Sequence, residues 1–322
     1  MIEYYIAAGL FSFIVTFILT RLLIPRLRRA GITGKDENKK GKPEIPEMGG
    51  IAIVAGLSGG MLLAIFFNTF LFFDFNLIYL LAAILTIYII AVIGIIDDLL
   101  KVPQWLKAIL PLFAAIPLVA VKAAGSTAML LPFIGVVDFG MVYIVVLIPI
   151  GIAVASNLTN MLAGFNGMEA GMGVVIFLTM FVLGVAYDSV EMSVISVSML
   201  AALLAFLMFN IFPAKVFPGD VGNLTIGAAL AVSVIIGSFE TAGAIIVIPY
   251  VIDFFIKVKN RLPHTKQDLR GGKLYPRERR IKGLVHLVMR AFGGISEVNL
   301  VRFFIAVEVI FAIIVLLVHF RT

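Results

Sequence analysis

The residues able to do chemistry lie in a few short polar stretches of an otherwise apolar 322-residue chain. Asp97-Asp98 closes one apolar run, and Lys107 stands at the start of the next. Carboxylates at a helix C-terminus oppose the helix dipole and need a compensating cation; Lys107 can fold back to supply it. A solvated acidic pair is the plain alternative, but an acid at a membrane boundary is a functional candidate by default. The stretch ASNLTNMLAGFNGMEAG puts Asn157 and Asn160 on one helix face. In the same stretch Gly164 and Gly167 leave room for a flat or anionic ligand against backbone, and Asn166 can hydrogen-bond on two sides. A helix C-cap with a glycine turn would explain one Asn and one Gly, not three Asn and two Gly within eleven residues.

FPAKVFPGDVGN adds Phe217 and Asp220. Asp220 could simply cap a helix, but with Asn160 it offers oxygen ligands for a hard cation. Mg²⁺ is commonly held by one or two protein oxygens, with substrate phosphates and water completing its shell. With no cysteine and three histidines, the chain has no zinc-type ligand set. NRLPHTKQDLRGGKLYP brings His264, Lys266 and Arg270, which can confront an anion, although a cationic loop beside a membrane also serves lipid headgroups. Aspartates, a lysine, asparagines, a magnesium-type pair and a basic loop together point to phosphoryl transfer, whose transition state needs metal and cations to neutralise charge.

The elements that must position these groups are membrane helices. The chain is 61% hydrophobic, with mean hydropathy +1.12. A spanning helix needs about 20 apolar residues, and ten candidates are present: 2–24, 49–67, 77–96, 105–121, 141–154, 171–187, 194–212, 224–239, 242–256 and 300–319. If the N-terminus faces outward, nearly every Lys and Arg falls on the inner side, with Lys122 and Arg321 the exceptions. The positive-inside rule then fixes both termini outside. The five inner loops, 26–48, 97–104, 157–167, 213–223 and 257–298, hold all the polar clusters, so one face carries the chemistry. The reading is a single all-α integral membrane domain with its active site on the cytoplasmic face. The first segment lacks a basic leader and cleavage site and reads as a retained helix. Residues 123–140, punctuated by Gly and Pro, predict a small outer hairpin. The spacing of Ile281, Leu284, Val288 and Phe292, opposite Arg279, Lys282, His286 and Arg290, predicts an amphipathic interfacial helix over 277–292. The formal net charge of +6 suits anionic lipid or a phosphorylated ligand, and nucleic acid explains it poorly.

GIIDDLLKVPQWLK, NLTNMLAGFNGMEAG, PAKVFPGD and the LPHTK–GKL stretch, in that order and with apolar segments between, resemble the polyprenyl-phosphate N-acetylhexosamine-1-phosphate transferases. The match is to the eukaryotic and archaeal branch that uses UDP-GlcNAc and dolichyl phosphate. The resemblance implies ten membrane helices and transfer of GlcNAc-1-phosphate from UDP-GlcNAc to a polyprenyl phosphate, with Mg²⁺ as cofactor and Mn²⁺ an alternative. It also implies Asn160 and Asp220 as metal ligands, and Asp97 and Asp98 as the acidic pair organising the lipid phosphate, one of them as base. Lys107 would contact phosphate. Gly164, Asn166 and Phe217 would form the uridine pocket, with Phe217 stacking on uracil; Asn157 and Glu169 belong to the same substrate set. His264 and Lys266 would hold pyrophosphate and sugar. The eukaryotic basic motif usually carries arginines there, and the His-His-His run of the bacterial peptidoglycan enzyme is missing. UDP-GlcNAc, dolichyl phosphate and the bilayer are the implied partners, a homodimer is compatible, and no nucleic acid is expected. Another UDP-sugar, such as the muramyl-pentapeptide donor, is the alternative within the class, and a transporter the alternative outside it, with Asp253 and Glu308 as its in-span acids. Direct attack by the lipid phosphate is favoured over an aspartyl-phosphate intermediate, because a phosphate monoester with a second pKa of about 6 is already ionised.

Overall fold

In the computed structural model, residues 1–100, 102–122, 126–131, 134–262 and 265–320 are described. Lys101, His264 and Arg321 therefore lie outside the described residues. Among them, nine helices are long and apolar enough to cross a membrane, or ten if a bent pair counts as one span. In order the first eight are α1 (Ile2–Arg29), α2 (Gly50–Leu71), α3 (Leu77–Leu100), α4 (Gln104–Ala114) running into α5 (Ile116–Lys122), α6 (Ile148–Met161) with the turn Tyr143–Leu147 before it, α7 (Met168–Ala186), α8 (Val190–Asn210) and α9 (Gly219–Gly237), and the ninth is the last helix, Glu297–Phe320. The bent pair α10 (Glu240–Ile246) and α11 (Ile248–Lys259), the short α12 (Leu284–Ala291) and α13 (Glu297–Phe320) follow.

The continuous span expected over 242–256 is corrected. The chain bends by 57° between α10 and α11, and Pro249 sits at the start of α11, where its missing N–H and rigid ring are tolerated but would break a helix interior. Likewise a π-helical turn, Tyr143–Leu147, precedes α6, and Pro149 opens it. The helix expected over 277–292 is shorter, beginning at Leu284. Gly283 is extended there, and the Asp253 carboxylate of α11 accepts the Leu284 N–H at 2.7 Å, starting the helix from outside. His286 is buried with Val285, Val288 and Met289, whereas Leu287 and Phe292 are exposed, so the buried face is rotated from the expected one.

α9 is the axis of the bundle, buried along nearly its whole length. Its sequence, GDVGNLTIGAALAVSVIIG, is rich in small residues, which lets neighbours approach closely where lipid provides no hydrophobic drive for association. α3, α6 and α8 pack around it. Thr159 Oγ1 of α6 donates to the Asn223 carbonyl at 2.8 Å, and Ser196 of α8 meets Ser233 at 2.9 Å. At Gly94 of α3, an added Cβ would lie 2.7 Å from the Val221 nitrogen; the absent side chain brings the start of α9 against the end of α3.

Three two-stranded hairpins decorate the ends: β1–β2 (Thr33–Lys35, Glu44–Pro46), β3–β4 (Ala128–Leu131, Gly135–Asp138) and β5–β6 (Gln267–Arg270, Lys273–Pro276). The second is the hairpin expected over 123–140. Thr241, just beyond the far end of α9, donates to the Leu130 carbonyl, so this hairpin caps the end of the bundle opposite Asp220.

Candidate active site

The first turn of α9 is held by a carboxylate from another helix. Asp98 of α3 accepts the Asp220 N–H at 2.8 Å and the Val221 N–H at 3.1 Å, satisfying two of the donors every helix start leaves unpaired. Gly219 sits at φ +70, and a Cβ on it would lie 2.7 Å from Asp98 Oδ2 and 3.0 Å from the Met48 nitrogen, so glycine is required on both counts. Because Asp98 does the capping, the Asp220 side chain is released from the role that its position in the helix invites. It turns instead toward Lys107.

Lys107 Nζ lies 2.5 Å from Asp97 Oδ2 and 3.3 Å from Asp220 Oδ2. The lysine does fold back beside the acids. Asp97 is buried, and its other oxygen accepts the Val102 N–H at 3.0 Å, which fixes the turn from α3 to α4. Asn157 supports this triad from behind: its amide donates to the Lys107 carbonyl at 3.3 Å and to the Ala153 carbonyl at 2.8 Å.

Beside the triad opens a cleft of about 460 Å³. Asn160, Gly164, Glu169, Phe217 and Asp220 line it, drawing on the third and fourth polar stretches together. Glu169 accepts the Gly164 N–H at 2.5 Å. Phe217 is placed by a ladder of backbone bonds: its N–H to the Pro46 carbonyl at 2.8 Å, and its carbonyl from the Gly49 N–H at 2.9 Å. Asn223 stands one turn beyond Asp220 on α9, and its amide donates to Asn160 Oδ1 at 3.1 Å. Its own Oδ1 is buried with no hydrogen-bond partner.

Six described residues of the expected set stand outside the cleft lining: Asp97, Asp98, Lys107 and Asn157, grouped at its edge, and Asn166 and Lys266. Asn166 is buried, its amide donating to Asp36 Oδ2 at 3.1 Å and its N–H to Glu297 at 2.9 Å. Lys266 is exposed at the edge of β5, while Thr265 and Gln267 on either side of it line the cleft. The first loop, 26–48, was expected on the active face but none of its residues was among the expected site residues, yet Gly34 through Asn38 and Glu47 form one wall. Asn38 donates to the Gly164 carbonyl at 2.9 Å and accepts from Gln267. Lys39 pairs with Asp36 at 3.1 Å and with Glu297 at 2.5 Å and lies over the Phe212 ring, tying this loop to α13. Lys42 paired with Glu37 holds that carboxyl below the usual range. Asn210 bridges the third and fourth loops, accepting the Gly167 N–H at 3.1 Å and donating to the Val216 carbonyl at 2.9 Å. The only sequence signal for these residues was polarity near an apolar boundary.

The donor set fits a hard cation. Asp36, Glu37, Glu47, Glu169 and Asp220 line the cleft against a single lysine, Lys35. A polyanionic ligand entering there needs a positive partner. The Asp220 carboxylate, the Asn160 amide oxygen and the orphaned Asn223 oxygen are hard donors on one wall. Among the described residues no three His, Asp or Glu side chains form a cage.

Comparison with known proteins shows the family. The profile of Glycosyl transferase family 4 matches residues 80–238. A protein of Saccharolobus solfataricus is 36% identical over 97% of this chain and 96% of its own length. This chain belongs to that family. The Saccharolobus protein's provisional name is UDP-N-acetylglucosamine–dolichyl-phosphate N-acetylglucosaminephosphotransferase. A Dictyostelium discoideum protein with the same name, unqualified, is 30% identical over 79% of this chain and 72% of its own. A phospho-N-acetylmuramoyl-pentapeptide-transferase of Halalkalibacterium halodurans is 33% identical over 71% of this chain and 74% of its own. The family match covers α3 through α9, the helices that carry Asp97, Lys107, Asn160 and Asp220.

Proposed function

We propose that this protein transfers GlcNAc-1-phosphate from UDP-GlcNAc to a polyprenyl (dolichyl) phosphate, yielding GlcNAc-diphosphate-lipid and UMP. That is the first membrane step in building a lipid-linked oligosaccharide for glycosylation. The observation that carries the reading is the Asp97–Lys107–Asp220 triad at the edge of the cleft, in a chain whose end-to-end relative bears the name of this reaction. A transporter would use acids within its spans for passage. Here Asp253 is engaged with Lys257 at 2.8 Å and with the start of α12, leaving Glu308 alone in the middle of α13.

In this mechanism Phe217 stacks on uracil, and Gly164, held by Glu169 and Asn38, offers an unobstructed backbone surface for the nucleotide. Asn166 acts through Asp36 to hold the first-loop wall. Asp220, Asn160 and Asn223 hold Mg²⁺, which when bound supplies positive charge to the diphosphate oxygens. Lys107, aligned by Asp97, faces the phosphates and offsets the charge that develops as the bond to UMP breaks. A lipid phosphate oxygen attacks the sugar-bearing phosphorus directly, so no strong base is needed. Asp98 shapes the site by fixing the start of α9. Lys266, beside β5, is assigned to the sugar and phosphates, and the matching assignment of His264 lies outside the described residues. We place the cleft on the cytosolic face of the cell membrane, a placement supported by the basic residues of 26–42 and 257–290 at this end of the bundle.

The test is to incubate the purified protein with polyprenyl phosphate, Mg²⁺ and each of UDP-GlcNAc, UDP-GalNAc and UDP-MurNAc-pentapeptide, then identify the lipid product by mass. GlcNAc-diphosphate-lipid and an equal amount of UMP are expected, with both abolished by chelation and restored by Mg²⁺. A product formed from the muramyl donor alone, or UMP release without lipid product, would overturn the assignment.

A further inference from the structure

A second cavity, of about 310 Å³, lies between the β5–β6 hairpin and α12. It would hold roughly ten waters. Arg270, Arg277, Arg279 and Arg290 line it, with Glu278 the one acid among the lining residues. The protein gathers these guanidinium groups deliberately. Asp268 accepts from Arg277 at 2.9 Å and from Arg270 at 3.1 Å, which draws two of them together across the hairpin. Arg290 donates to the Arg279 carbonyl, fastening the end of α12 over the segment that carries the third. The Leu274–Ile295 bridge closes the far side. Glu278 is already matched by Lys282 at 2.5 Å. The Arg279 side chain makes no hydrogen bond or ion pair with the described residues.

The charge is out of balance on a larger scale as well. Residues 266–290 contain eight Lys or Arg against two acids, Asp268 and Glu278, a net +6 that equals that of the whole chain. Arg270 and Arg277 share the single Asp268 carboxylate, and Arg279 and Arg290 face no carboxylate among the described residues; such a cluster calls for a further anion, and planar guanidinium forks match phosphate oxygens in pairs. Exposed apolar side chains stand beside the lining residues of this cavity: Leu269 precedes Arg270, Leu287 lies on α12, and Phe292, 56% exposed, precedes Gly293. An element that presents bulky apolar side chains beside arginines lies in the membrane interface, at the end of the bundle where Thr265 and Gln267 reach the catalytic cleft.

We propose that the cavity between the β5–β6 hairpin and α12 binds the phosphate of an anionic phospholipid headgroup, with Phe292 and Leu287 set among the acyl chains. The occupant is a membrane lipid rather than a soluble phosphate, because only a lipid uses the exposed Phe292 and Leu287 together with the arginines. This site is separate from the Asp97–Lys107–Asp220 triad and does not rest on the reaction assigned to it.

The test uses the purified full chain in a neutral detergent, titrated with dioctanoyl phosphatidylglycerol, dioctanoyl phosphatidylcholine or inorganic phosphate, with binding followed by native mass spectrometry. Saturable binding of phosphatidylglycerol is expected, at least about tenfold tighter than that of phosphatidylcholine or inorganic phosphate. Arg279→Gln should weaken it about tenfold, and Arg279→Gln with Arg290→Gln roughly a hundredfold, since each lost charge-assisted contact is worth about a power of ten. Arg26→Gln with Arg29→Gln, at the exposed end of α1, should leave it unchanged. An unaltered thermal midpoint in Arg279→Gln separates lost binding from lost folding. The proposal fails if the two lipids bind alike, if inorganic phosphate binds as tightly as phosphatidylglycerol, if Arg279→Gln binds like wild type, or if the α1 variant loses as much.

Discussion

Replacing Asp98 by Asn separates a positioning role from a chemical one. The carboxylate accepts two N–H groups of the first turn of α9, at 2.8 and 3.1 Å. An amide of the same shape can accept one of them and must turn its own NH₂ toward the other. One charge-assisted bond, worth about 1.5–3 kcal/mol, is lost, and a donor is left facing a donor, which costs about 1–3 kcal/mol more. Allowing for local relaxation, the variant should be about 2–4 kcal/mol less stable, a large part of a typical margin of about 5–15 kcal/mol. Asp220 is the second residue of that turn, so its carboxylate moves with the disturbed helix start. The assay measures two quantities on detergent-purified protein: the thermal midpoint with and without UMP, and UMP release from UDP-GlcNAc and polyprenyl phosphate. Asp98→Asn should lower both, and saturating UMP should recover part of the midpoint by mass action. A variant with a wild-type midpoint but turnover reduced a thousandfold would refute the argument. It would mean that Asp98 meets the reacting atoms directly and that capping is incidental.

Lys107→Gln should leave Asp97 buried without its cation and reduce turnover roughly a hundred- to a thousandfold, the usual effect of removing one group that stabilises transition-state charge; kinetics at saturating donor will show whether kcat falls more than KM rises. Phe217→Ala should weaken UMP and UDP-GlcNAc alike by about ten- to a hundredfold, since base stacking on an aromatic is worth about 1–3 kcal/mol; calorimetry in which UMP is unaffected would remove Phe217 from the nucleotide pocket. Asp268 has its pKa lowered by the hydrogen bond from Arg277, then by that from Arg270. The hairpin should therefore keep this stabilisation at neutral pH, begin to lose it only as the pH falls below about 4, the unfolded carboxyl value, and lose it fully below the depressed folded value. Limited proteolysis across that range by an acid-active protease should find the hairpin protected above pH 4 and cleaved below it, with the dependence abolished in Asp268→Asn.

Much of this protein was legible in its residues. Length and apolarity set the membrane helices, because a bilayer leaves the backbone few ways to satisfy its hydrogen bonds. Asp97, Lys107, Asn160 and Asp220 stood out because polar groups are costly in such surroundings and survive where they are used, whereas Phe217 was singled out by the resemblance. The break at Val247 was less visible, since Pro249 alone does not tell a kink from a helix start. The extent of α12 was misjudged because apolar spacing runs on through Gly283, whereas the helix begins where Asp253 caps it.

Tertiary structure decided the rest. Local sequence makes Asp98 half of an acidic pair and Asp220 a helix cap. The packing of α3 against α9, made close by Gly94 and Gly219, exchanges those roles: Asp98 caps and Asp220 faces the cleft. The first-loop wall is likewise fixed by contacts between residues more than a hundred positions apart, Asp36 with Asn166, Asn38 with Gln267 and Lys39 with Glu297. Periodicity reports which face of an element is buried. It does not carry the long-range hydrogen bonds that decide which buried polar group meets which, and in this protein those bonds are what build the site.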